Sequence, residues 1–133
     1  MLIVSVVLLV LAVVLGGVAV AGFTERLPRN RWAGVRTPET MRDDETFALA
    51  NKVAAPTVMA SAVLLVIGSV AATLVDGALG LAAVGVSIVA AVITTAMGGV
   101  LGARTAAAMP APDTGGCGSS CGACSLKDAC QPS

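Results

Sequence analysis

Hydrophobic residues run unbroken through three stretches of the chain. Residues 2–23 (LIVSVVLLVLAVVLGGVAVAGF), 53–75 (VAAPTVMASAVLLVIGSVAATLV) and 77–103 (GALGLAAVGVSIVAAVITTAMGGVLGA) contain no charged side chain. A helix crossing a bilayer needs roughly 20 apolar residues at about 1.5 Å each, and every stretch reaches that length. Their many Val and Ile residues would favour strands in water. In lipid the backbone must satisfy its own hydrogen bonds, so helix prevails. The pattern predicts an all-α integral membrane protein with three transmembrane helices. Only Asp76-Gly77 separates the second stretch from the third, which predicts a tight helical hairpin. Ala19-Val20-Ala21 has the small-x-small form of a signal-peptide cleavage site. The first five residues carry no Lys or Arg, however, and the apolar run exceeds a usual signal core, so the reading is a retained helix.

Polarity concentrates in residues 24–52, which hold the single Trp (Trp32), both Asn residues and most of the charge. Pro disfavours helical geometry in the residue before it, so Thr37 suits an N-cap and Pro38 the first helical position. Glu39, Asp43, Asp44 and Glu45 then complement the helix dipole in the early turns. This predicts a short interfacial helix over about 38–52, lying at the headgroups with Phe47, Ala50 and Val53 as its apolar edge. Trp32 fits the water–lipid boundary and Gly34 a turn. Arg36 suits an ion pair with Asp43, Asp44 or Glu45, or with a lipid phosphate. Six basic residues (Arg26, Arg29, Arg31, Arg36, Arg42 and Lys52) lie in this segment and none in the 76–77 turn. The positive-inside rule therefore puts segment 24–52 in the cytoplasm, the N-terminus outside and the C-terminus inside.

Composition narrows the function. Of 133 residues, 56% are hydrophobic and 12% charged, and the mean hydropathy is +0.92, which is too apolar for a soluble domain. Eight basic and eight acidic residues cancel, so no net field draws the chain to nucleic acid. There is no His, which removes the usual general base, and no ionisable residue lies inside a span, where a pump or proton relay would need one. The expectation is a non-enzymatic membrane protein whose first partner is the lipid bilayer. Small residues recur four apart in Ala12/Gly16, Gly17/Ala21, Gly68/Ala72 and Gly98/Gly102. Gly98-x-x-x-Gly102 suits close helix packing, either in a homo-oligomer or between helices of one chain.

The polar segment resembles the SdpI family of bacterial membrane proteins. The resemblance lies in Asn30, Gly34-Val35-Arg36-Thr37-Pro38, Thr40, the Asp44-Glu45-x-Phe47 run and Asn51. Phe47 stands where the family usually carries Trp. What the resemblance implies is a multi-pass protein of the bacterial plasma membrane, here a minimal three-span form. It implies immunity against a membrane-active peptide toxin, and signalling through a cytoplasmic regulator. By the same resemblance, Asn30, Gly34, Arg36, Thr37, Pro38, Thr40, Phe47 and Asn51 are the candidate partner-binding residues.

Residues 1–103 thus form a membrane domain, and 104–133 read as a flexible tail that the resemblance does not include. The tail carries all four cysteines, Cys117, Cys121, Cys124 and Cys130, spaced C-x3-C-x2-C-x5-C. In the cytoplasm these thiols stay reduced. An all-thiolate set suits tetrahedral Zn or an iron–sulfur cluster. Redox thiols, or a tail with no bound group, are the other readings. The second functional expectation is therefore a membrane-tethered metal-binding or redox-sensing protein, and a third is an accessory subunit of a membrane complex.

Overall fold

The computed structural model describes residues 2–30 and 32–110. They form three helices, α1 (Leu2–Phe23), α2 (Asp44–Leu74) and α3 (Gly77–Ala108), and no strand among the described residues. Each helix is long and apolar enough to cross a membrane. α2 is the central element: α1 packs on one side and α3 on the other, without a close backbone approach between those two.

Side-chain size sorts the helices radially. The interior is built mainly of small residues, with Ala12, Ala19, Ala54, Ala62, Ala72 and Ala91 buried beside Leu8, Leu65 and Val84. Large aliphatics point outward, among them Val13, Val63, Ile67, Val86 and Val92. Lipid is as apolar as Leu, so burying Leu gains little there; small faces instead let backbones approach and maximise dispersion contacts. Gly68, Gly98 and Gly102 are buried on this principle. A Cβ on Gly98 would collide with Thr57 Oγ1, and one on Gly102 would sit 2.6 Å from the Ala50 carbonyl oxygen. The Gly98/Gly102 face is therefore the α2–α3 contact within this chain. Hydroxyl pairs add direction to the packing. Ser5 and Ser69 share a hydrogen bond of 2.8 Å between α1 and α2, and Thr95 Oγ1 donates to Ser61 Oγ at 2.8 Å between α3 and α2.

The predicted hairpin is present, with α2 ending at Leu74 and α3 starting at Gly77. Two boundaries differ from expectation. α3 continues beyond residue 103 to Ala108. The separate interfacial helix over 38–52 does not form; residues 44–52 are instead the first turns of one continuous α2. Two N-cap signals stand in series here, and the second takes the helix. Thr37 and Thr40 close a local turn: each backbone N–H donates to the other's hydroxyl, at 2.8 and 3.3 Å. Thr40 Oγ1 in turn donates to the Val35 carbonyl at 2.9 Å. Such local bonds compete with helix. Asp43 has extended geometry and accepts from both the Thr46 N–H (2.7 Å) and the Thr46 hydroxyl (2.8 Å), so propagation begins there. Phe47 and Ala50 are buried in the protein at 1% and 0% exposure instead of facing lipid.

Candidate functional site

Residues 24–30 and 32–43 fold into a cap over the ends of the three helices. Its entry is set by Asn30, an Asx turn in miniature. Asn30 Oδ1 accepts from the N–H groups of Trp32 and Ala33, both at 2.8 Å, and its Nδ2 donates to the Pro28 carbonyl at 2.7 Å. At the next bend Gly34 has φ +96, a left-handed conformation that side-chain-bearing residues rarely adopt. A Cβ there would also strike the Asn51 side chain.

Asn51 is the central tie. It projects from α2 with 5% exposure, its Oδ1 accepts from the Val35 N–H at 2.7 Å, and its Nδ2 donates to the Phe47 carbonyl at 2.8 Å. One amide thus anchors both the loop and its own helix. Val35 is also in line with α3: its Cγ2 lies 3.2 Å from where a Gly102 Cβ would be. Thr40, fully buried, fixes the following turn through the bonds already described.

Arginines bind the cap's outer edge. Arg29 donates to the carbonyls of Met41 (3.0 Å) and Arg42 (3.4 Å) and pairs with Asp44 at 3.1 Å. Arg42 pairs with Asp43 at 3.3 Å and donates to the carbonyls of Met109 and Pro110 just beyond α3. The last turn of α3 has no basic residue of its own, so Arg42 brings a cation to that end of the helix from the loop. Lys52 and Glu25 join α2 to the exit of α1 at 2.6 Å. Asp43 and Glu39 both titrate below the ordinary carboxylate range. For Asp43 the Thr46 N–H and hydroxyl are the main cause, followed by Arg42; for Glu39 it is first the Thr37 hydroxyl.

Five of the motif residues (Gly34, Thr37, Thr40, Phe47 and Asn51) are therefore brought together, directly or through Val35, while Asn30 shapes the entry to the cap by local bonds. Arg36 and Pro38 lie on its outside, as does Trp32, the most exposed large hydrophobic side chain among the described residues at 90%. Arg29, Asp43 and Thr46 complete the arrangement without having been singled out as site candidates. The readable signal for Asp43 and Thr46 is the Asp-x-x-Thr spacing ahead of an apolar run. Arg29 acts across a fold that sequence spacing does not reveal. Cys117, Cys121, Cys124 and Cys130 lie outside the described residues. Among the described residues no group of His, Cys, Asp and Glu is placed to hold a metal ion.

No match was found among curated proteins or solved structures. The family model of the SdpI/YfhL protein family matches residues 26–98, more than half of the chain. That match starts two residues into the cap and runs through α2 into the α3 face that packs on it. The chain belongs to the SdpI/YfhL protein family, as a multi-pass membrane protein whose matched region takes in most of the cap, all of α2 and α3 as far as Gly98.

Proposed function

We propose that this protein is an immunity and signalling factor against a membrane-active peptide toxin, acting through the cap at the cytoplasmic face. The observation that carries the reading is the coincidence of the family match with a folded, internally bonded cap. A loop that only set topology would not need Asn51, Thr40 and Gly34 to hold one conformation. A cap held this way keeps Trp32 and Arg36 on a defined surface with little entropy left to lose on binding. The occupant of that surface would be the toxin itself or a cytoplasmic regulator. Six basic residues in segment 24–52 support its placement on the inner side.

The test is survival of a toxin-sensitive strain expressing the full chain and challenged with the peptide. Protection is expected, together with its loss in Arg36→Ala at unchanged protein level. Unchanged killing of the wild-type strain contradicts the immunity role. Full protection by Arg36→Ala removes the cap's outer surface as its carrier.

A further inference from the structure

Along the seam between α1 and α2, two clefts follow one another. The upper one, about 420 Å³, lies at the exit of α1 and is bordered by Glu25, Arg26, Arg29, Asp44 and Ala48. The lower one, about 250 Å³, is bordered by Val20, Phe23, Ala55, Pro56 and Met59 and is almost wholly apolar. Ala48, Lys52, Ala55, Pro56 and Met59 share one face of α2 by their three- and four-residue spacing, so the clefts are stacked along the helix. The Lys52–Glu25 pair sits at the junction. From Ala48 to Met59 the seam descends about 16 Å at about 1.5 Å per residue. One leaflet's share of a hydrocarbon core about 30 Å thick is similar.

The charges in the upper cleft are unequal in their commitments. Glu25 is neutralised by Lys52 and Asp44 by Arg29. Among the described residues Arg26 has neither an ion pair nor a side-chain hydrogen bond, and it is exposed. One uncompensated cation therefore stands at the rim of a cleft whose floor turns apolar toward the bilayer. That shape and charge match an amphiphile with an anionic head. We propose that the α1–α2 seam is a binding site for one anionic phospholipid, its phosphate on the Arg26 guanidinium and the upper part of one acyl chain in the apolar cleft. The site is separate from the exposed surface of Trp32 and Arg36, and it stands whether or not the immunity reading holds.

The experiment is native mass spectrometry of the detergent-purified full chain with equal amounts of phosphatidylglycerol and phosphatidylcholine. One retained phosphatidylglycerol is expected, preferred about fivefold, the factor for one cation at a membrane surface. Arg26→Gln should bring the two lipids to equal retention, with helix content unchanged by circular dichroism. Val20→Phe, which fills the lower cleft from a lipid-facing position, should weaken retention of both. Arg104→Gln should change nothing. Equal retention of the two lipids by the wild type overturns the proposal, as does an unchanged preference in Arg26→Gln. Displacement of the lipid by an equal concentration of inorganic phosphate would overturn the acyl-chain half, since a free ion would then bind as well as the amphiphile.

Discussion

Asn51 shows how one side chain can hold a loop to a helix. With its amide gone, the Val35 N–H loses its acceptor in a half-buried place. An orphaned buried donor costs about 1–3 kcal/mol. Asn51→Ala should lower the thermal unfolding midpoint in detergent by an amount consistent with that loss. Asn51→Asp should not recover it, because a carboxylate accepts from Val35 but sets an acceptor against the Phe47 carbonyl and buries a charge in a site only 5% exposed. Gly34→Ala should be at least as damaging. A left-handed residue with a Cβ costs about 1–2 kcal/mol before the collision with Asn51 is added. Phe47 shows what the sequence could and could not disclose at this scale. Its place in a motif was legible only through the resemblance to the family, and its aromatic character from the residue itself. Its burial at 1% was not, because a helix lying flat in the interface would have given the same pattern.

At the scale of the element, the start of α2 is an electrostatic device. The Asp43 carboxylate accepts two hydrogen bonds from Thr46, which hold its titration below the ordinary range. A carboxylate whose pKa is lower in the folded state contributes stability above its unfolded pKa. That contribution is lost as pH falls through the folded value. The first turns of α2 should therefore fray on acidification below the usual carboxylate range, seen as loss of helical circular dichroism in detergent. Asp43→Asn should flatten this acid limb while leaving a capped helix at neutral pH, since Asn also caps well. The displaced helix start also explains the limits of sequence reading. Thr37-Pro38 and Asp43-Asp44 both spell an N-terminus, and only the fold reveals that Thr37 and Thr40 satisfy each other. The α2–α3 contact carries the next prediction. Gly102→Ala drives a Cβ against the Ala50 carbonyl, a backbone atom that cannot rotate away. Overpacking of this kind costs about 1–3 kcal/mol, so the variant should unfold at lower temperature. Gly17→Ala, with nothing within 4 Å of the new Cβ, should not.

For the whole molecule, the three spans and the hairpin were legible because lipid imposes a length and forbids unsatisfied backbone, and both constraints are written in the hydropathy. Helix order in space was not legible. Nothing in the hydropathy says that α2 lies between α1 and α3, since the spanning stretches of all three helices carry no charge on any side. That arrangement depends on where Gly98, Gly102, Ser69 and Thr95 find partners. The cap then closes over the ends of the central helix and its two neighbours, which gives the family motif a structural meaning beyond a string of matches. Its functional meaning depends on which side of the membrane it faces, so sidedness is the most direct measurement. The four native cysteines all follow residue 116, after α3, on the same side as the cap if three helices cross the bilayer. Intact cells treated with a membrane-impermeant thiol reagent should leave Cys117, Cys121, Cys124 and Cys130 unlabelled, with labelling appearing only after permeabilisation under reducing conditions. Labelling of these cysteines in intact cells would place the cap outside and contradict the account.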